Sequence, residues 1–341
     1  MAKLKKIIIL LTTIALACMI VVAIVYLDLK RYANQPASAK KSQEKIHIVV
    51  EPGSSLVKIA KLLEDKGLVV VPLKFRLIAR IYRLDKRIQA GEYLLSPDMT
   101  PVQIIDIITK GRVYLHRIVI PEGFNLKQIA ATVEQAEFAD AGSFLKVALD
   151  PDLLVRLNIP ADSLEGYLFP DTYLFAKGTT IIKIIETMVA HFNEQFKPEW
   201  KKQARKLGFS VHEIVTLASI IEKETGNPSE RKTISSVFHN RLKKKMRLET
   251  DPTVIYAIKD YNGNITRKHL KTWTPYNTYM IKGLPPGPIA SPGAASLEAA
   301  LYPDKTDYLF FVSKKDTTHH FSRTIKEHNR AVRKYQLRPK R

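Results

Sequence analysis

The run Leu217-Ala218-Ser219-Ile220-Ile221-Glu222-Lys223-Glu224-Thr225-Gly226 ends an apolar stretch with two carboxylates. On a helix these two glutamates stand about 200° apart around the axis, so they face different ways. Glu224 continues the stripe of Leu217 and Ile220, whereas Glu222 follows Ala218 toward the polar side. A carboxyl on a buried stripe loses solvation, and one in the last helical turn also meets the negative end of the helix dipole; both raise its pKa. An acid kept protonated near neutral pH is what protonation of a glycosidic oxygen requires. The same spacing also suits a plain surface pairing of either glutamate with Lys223, Arg231 or Lys232.

Other residues of chemical interest follow. Asn240 and Arg241 sit on the next helix, where Asn240 offers an amide for a polar contact. Asp251-Pro252 reads first as a helix start, with Asp251 as cap and Pro252 in the first turn. Tyr276, Asn277 and Tyr279 offer aromatic faces and an amide, types that stack on and bond to sugars, although a buried tyrosine pair fits them nearly as well. His319, His320 and His328 lack metal-ligand spacing and read as structural. Cys18 is the single cysteine, which excludes an intramolecular disulfide, a Cys-based metal site and dithiol redox chemistry.

Those residues must be positioned by ordered elements, and a chain of 341 residues with 45% hydrophobic content can supply them in more than one domain. The segment Ile7–Leu27 carries no charge and is long enough to span a bilayer. Ala15-Leu16-Ala17 before Cys18 has the look of a signal-peptide cleavage site, but Met19–Leu27 stays apolar beyond it, which favours a retained anchor. Lys3, Lys5 and Lys6 orient the N-terminus to the cytoplasm, against an opposing vote from Lys30 and Arg31. The expectation is a single-pass protein of the cell inner membrane with its catalytic domain in the periplasm. Residues 32–45 read as a flexible linker. From Ile46 a strand, a Pro52-Gly53 turn, a helix from Leu56, a second helix from Pro72, a strand near Tyr93 and a helix from Pro101 follow.

A weak repeat relates Gly53, Leu56, Ile59 and Ala60 to Gly123, Leu126, Ile129 and Ala130 at one constant offset. Farther along, Ile181–Val189 and Val211–Thr225 read as helices. Asn227-Pro228-Ser229-Glu230 opens another, with Asn227 as cap and Glu230 able to reach back. A short helix from Asp251, a stiff Pro/Gly loop over Gly283–Gly293, two strands near 308–312 and 319–322 and a C-terminal helix complete the chain. The net charge of +21 points to an anionic partner. Its basic residues, such as Lys40-Lys41, are scattered without interleaved aromatics, which argues for an anionic polymer or membrane surface and against nucleic acid.

Two resemblances add to this reading. Residues 46–112 resemble the LysM module, a small βααβ unit that binds N-acetylglucosamine-containing strands; a purely structural role fits this unit as well. The chain as a whole resembles the YceG-like family of endolytic murein transglycosylases. The resemblance rests on Ala218–Thr225, Val237-Phe238, Asn240-Arg241-Leu242, Thr250–Tyr256, Tyr276–Tyr279, Gly283–Gly287, Ile289-Ala290, Pro292-Gly293 and His328-Asn329. Upstream, Glu165-Gly166 and Phe169–Tyr173 also match. Glu249 departs from it, standing where Gln is expected.

The resemblance implies an α+β architecture: a cytoplasmic tip and transmembrane anchor over 1–31, the linker, the LysM-like subdomain over 46–112, and a mixed α+β catalytic domain over 113–341. It implies cleavage of the β-1,4 bond between N-acetylmuramic acid and N-acetylglucosamine within a strand, leaving a 1,6-anhydro end and ending strand elongation. Glu224 is the implied catalytic residue. Glu165, Asn240, Asp251, Thr253, Tyr256, Tyr276, Asn277 and Tyr279 are the implied substrate contacts. No metal or cofactor is expected; peptidoglycan strands are the expected partner, with peptidoglycan synthases as companions. Two alternatives stay open. A muramidase would hydrolyse the same bond with a second carboxylate, drawn from Glu165, Asp171, Glu222, Glu249 or Asp251. A non-enzymatic wall-binding scaffold would rely on the LysM-like unit alone.

Overall fold

The computed structural model describes residues 2–38, 44–259 and 261–337. The expected linker is covered only in part, because residues 39–43, with Lys40-Lys41, lie outside the described residues. The chain forms two compact units that divide between His116 and Arg117.

The first unit begins with helix α1 (Ala2–Ala33), long and apolar enough to cross a membrane and exposed along its apolar stretch. The helix continues past the uncharged stretch: Tyr32, placed in the linker by sequence, lies within α1, and its hydroxyl both donates to and accepts from the Val71 backbone at 3.1 Å. Strand β1 (Ile46–Val50), helices α2 (Leu56–Asp65) and α3 (Pro72–Ile81), strand β2 (Gly91–Leu95) and helix α4 (Pro101–Thr109) follow. The strands pair antiparallel with Ile48 opposite Tyr93. Ile48, Leu63, Phe75, Tyr93 and Ile104 fill the core beneath them, and Leu29 and Ala33 of α1 join it.

The second unit contains strand β3 (Leu115–Val119), on which the division between the units falls, and helices α5 (Leu126–Gln135), α6 (Ala141–Ala148) and α7 (Pro151–Arg156). Strand β4 (Thr172–Ala176), paired with β3, precedes helices α8 (Ile181–Gln195), α9 (Pro198–Leu207), α10 (Val211–Glu224), α11 (Arg231–Lys243), α12 (Asp251–Ala257), α13 (Arg267–Lys271) and α14 (Ala294–Leu301). Strands β5 (Phe310–Ser313) and β6 (His319–Ser322) form an antiparallel hairpin before α15 (Ile325–Val332). The architecture is thus a mixture of helices and small two-stranded sheets behind an apolar N-terminal helix.

The repeated device is present in both units. Gly53 and Gly123 adopt φ of 75° and 76°, a left-handed turn that glycine enters without steric cost. Ser55 and Asn125 then cap α2 and α5, accepting the N–H groups of Lys58 and Gln128. Ile59, Ala60 and Leu63 are buried in one copy, and Ile129, Ala130 and Val133 in the other.

Candidate active site

Helix α10 starts at a capping box in which the Ser210 hydroxyl accepts from Glu213 N–H and the Glu213 carboxylate accepts from Ser210 N–H. Every residue from Ile214 to Ile221 is then buried, so the helix has no solvated side along that run. Burial of each large aliphatic among them contributes about 1.5–3 kcal/mol. Helix α14 packs along α10, and the 283–293 loop is pinned to it where Ser219 Oγ accepts Ile289 N–H at 3.0 Å.

This wrapping corrects the placement of Glu222. Its side chain is only 7% exposed, and the carboxylate accepts Gly293 N–H at 3.0 Å and meets the Arg231 guanidinium at 3.4 Å. Glu222 therefore ties the loop to α11 and is not on a polar side. The expected reach-back of Glu230 is also absent. Pro228–Glu230 form a 3-10 turn capped by Asn227, and Glu230 instead accepts the backbone N–H of His319 and pairs with its Nδ1 at 2.7 Å.

Glu224 is the last residue of α10 and keeps part of its surface open. Its Oε1 accepts a hydrogen bond from the Thr250 hydroxyl. Burial pushes its carboxyl up to about 7; the Thr250 hydroxyl opposes that shift, the negative charge of Asp251 adds to it, and His319 and Arg241 oppose it. Thr250 is held by its own N–H on the Thr278 hydroxyl at 3.1 Å, and Thr253 Oγ1 bonds both Thr250 O and Thr278 Oγ1. Asp251 accepts from Tyr279 OH at 2.7 Å. Thr250, not Asp251, occupies the N-cap position of α12, which leaves the Asp251 carboxylate free for that tyrosine. Arg241, 7% exposed, donates to the carbonyls of Arg247, Leu248 and Leu309 and pairs with Glu249 at 3.2 Å.

A second group forms around Glu165, which is 5% exposed. Its carboxylate accepts Leu126 N–H at the first turn of α5, at 3.0 and 3.1 Å, and Tyr256 OH at 3.0 Å. Burial pushes Glu165 up to about 7 against the pull of these donors. The Tyr276 ring lies 4.9 Å from that of Tyr256. Glu165 and Tyr256 line a cleft of about 570 Å³ together with Lys127, Lys223, Pro252 and Lys259, so the cleft reaches the residues next to Glu224 and Asp251.

The remaining expected contacts are held by the scaffold. Thr253 is fully buried. Asn277 is 1% exposed and spends its amide N–H groups on the carbonyls of His269, Leu270 and Thr272, closing the end of α13. Asn240 donates to the carbonyls of Thr306 and Tyr308 ahead of β5 and borders a different cleft, of about 670 Å³, with His212, His239 and Leu284. Asp171 accepts Thr172 N–H and meets His191 at 3.3 Å. The geometry thus brings Glu224, Asp251 and Tyr279 together, and Glu165, Tyr256 and Tyr276 together. Thr250, Arg241 and His319 act on Glu224 without having been singled out for it. An arginine on the inward face of the last turn of α11 was the one available signal, because a buried arginine must find acceptors. Among the described residues no group of three or more His, Cys, Asp or Glu side chains is placed to hold a metal ion.

The chain is 38% identical over 313 residues to the endolytic murein transglycosylase of Bacillus subtilis, covering 87% of this chain and 86% of that protein. It is 32% identical over 325 residues to the endolytic murein transglycosylase of Streptococcus pneumoniae, covering 85% of this chain but 58% of that longer protein. A crystal structure of a protein described as yceG-like from Listeria monocytogenes superposes with a TM-score of 0.60 at 38% identity, covering 85% of this chain and 99% of that one. The model of the YceG-like family matches residues 48–334, from β1 through α15, and by that match the chain belongs to the YceG-like family.

Proposed function

We propose that this chain is an endolytic murein transglycosylase in which Glu224 serves as both acid and base. The observation that carries the reading is a single partly open carboxyl at the end of a buried helix, held by Thr250 and raised by burial to about 7. Near neutral pH such a group is present in both protonation states, as a residue that first gives and then takes a proton must be. Protonated Glu224 gives its proton to the oxygen linking N-acetylmuramic acid to N-acetylglucosamine, and that bond breaks. The resulting carboxylate takes the proton of the muramoyl C6 hydroxyl as its oxygen bonds to C1. The product is a 1,6-anhydro end; no water is consumed and the enzyme returns to its starting protonation state. A nucleophile already within the substrate needs no second carboxylate to activate water. Asp251 and Tyr279 border the reacting groups, and the Glu165, Tyr256 and Tyr276 cluster lines a path for the strand. Asn240, Thr253 and Asn277 support the site through the backbone.

In this reading α1 anchors the protein in a membrane, with the chain beyond Lys30 outside the cytoplasm. Residues 46–112 form a LysM-like glycan-binding subdomain, the residues between Ala33 and Ile46 a linker and 113–341 the catalytic domain. Anchored there, the enzyme works beside peptidoglycan synthases and ends strand elongation. Digestion of purified glycan strands in oxygen-18 water tests the chemistry. New 1,6-anhydromuramoyl ends without label are expected, and stoichiometric label at C1 would establish a muramidase and move the search to Asp251.

A further inference from the structure

Helix α3 has two apolar faces where a helix on the surface of a soluble domain needs one. Phe75, Ile78 and Ala79 face the core of the first unit and are buried. Leu73, Leu77 and Ile81 follow one another at helical spacing on the opposite side and are 59%, 37% and 57% exposed. Val70, just before the helix, is also exposed. Beside it stand Arg76 and Arg80, followed by Arg83, Lys86 and Arg87, against the single acid Asp85. An exposed apolar stripe edged with cations marks an interaction surface, and its composition matches that of helices lying at an anionic lipid surface.

The position of α3 decides what covers the stripe. Asp28 is the first charged residue after the apolar stretch Ile7–Leu27, and its carboxylate pairs with Lys74 Nζ at 2.6 Å. One turn later the Tyr32 hydroxyl is bonded to the Val71 backbone, and Leu29 and Ala33 are buried in the same core as Phe75. The first turn of α3 is therefore fixed against the point at which α1 leaves the hydrocarbon, with no slack chain between them. We propose that the Leu73, Leu77 and Ile81 face of α3 lies in the headgroup region of the membrane that holds α1, with Arg76, Arg80 and Arg83 against anionic lipid. This rests on the reading of α1 as a membrane anchor. The contact continues the burial begun by the span and gives the cations the negative surface potential that anionic lipids provide.

The test uses full-length protein reconstituted into vesicles of phosphatidylcholine and phosphatidylglycerol that carry a headgroup-proximal spin-labelled lipid. A nitrobenzoxadiazole label on native Cys18, at the middle of the span, is read in parallel vesicles whose lipid carries its spin label at the acyl-chain end. In a Cys18→Ser background, Leu77→Cys and separately Leu73→Cys report the face, and Val155→Cys, 77% exposed on α7, reports water. Quenching is expected at 18, 73 and 77 and not at 155, with a blue shift at 73 and 77 that shrinks when phosphatidylglycerol is omitted. Arg76→Gln with Arg80→Gln should abolish that dependence on phosphatidylglycerol. Quenching at 18 with labels at 73 and 77 behaving like 155 overturns the proposal and leaves the anchor standing. Absence of quenching at 18 overturns both. Unquenched Leu77→Cys that cross-links between copies as protein concentration rises assigns the face to a second chain and likewise overturns the proposal.

Discussion

Single residues around Glu224 pull its proton affinity in opposite directions, and that opposition can be measured. Thr250 donates to the ionised form and lowers the pKa, so Thr250→Val should move the basic limb of the pH-rate profile to higher pH. Asp251 raises it by like charge, so Asp251→Asn, which keeps an acceptor for Tyr279, should move the limb to lower pH. Shifts in the same direction, or none, would refute this electrostatic account. Glu224→Gln should remove turnover while leaving the fold intact, and its effect on stability has a definite sign. A folded pKa of about 7, above the ordinary 4.5 of a glutamate carboxyl, means that the carboxyl favours folding fully below 4.5 and loses that contribution as pH rises to about 7. The glutamine variant should therefore be more stable than the parent at pH 8, by on the order of 2–3 kcal/mol, with the difference shrinking as pH falls toward 4.5. Urea midpoints at several pH values read this directly. Glu249→Gln should matter little to stability, below about 1 kcal/mol, because its pairing with Arg241 is half exposed and Arg241 keeps three carbonyl acceptors.

Among elements, the loop after α13 and the turn after α7 hold α10 from two sides. Gly166 has φ of 82°, and a Cβ there would stand 2.5 Å from the Pro288 ring. Gly166→Ala should therefore destabilise the second unit by about 2–4 kcal/mol, from backbone strain plus overpacking, and a thermal melt would show it. Legibility at this scale follows the range of the interactions. Helices α2 and α5 were readable because a glycine turn, a cap and a helical period lie within a few residues. Glu224 came forward from its spacing to Leu217 and Ile220 only together with the family resemblance. Glu222 was misplaced because a stripe argument assumes one wet side, and α10 has none from Ile214 to Ile221. Helix α14 escaped notice because Ala294–Leu301 is alanine-rich and short, with no polar face to mark a period. The tie between Glu230 and His319 joins residues far apart in sequence and leaves no local signal. Asp251, Glu165 and Tyr256 came forward as contacts only through family resemblance, and Tyr276 and Tyr279 by residue type besides, since all these types are equally at home in a core.

For the whole molecule, the net charge of +21 should make retention on anionic wall polymer fall as salt rises, measurable by co-sedimentation at graded ionic strength. The anchor reading requires that the full chain resist carbonate extraction from membranes; a soluble product shortened near Ala17 would contradict it. The wrapping of α10 has one more consequence, and it concerns the order in which the molecule is made. Ser219 waits for Ile289, Glu222 for Gly293 and Glu230 for His319, so the helix bearing Glu224 has its partners late in the chain. Contacts of such separation form slowly because loop closure precedes their reward. During synthesis the first unit, complete by His116, has all its own contacts while α10 has almost none. A growing chain would thus acquire a folded N-terminal unit first and the surroundings of Glu224 last, so that no partly made molecule carries an assembled site.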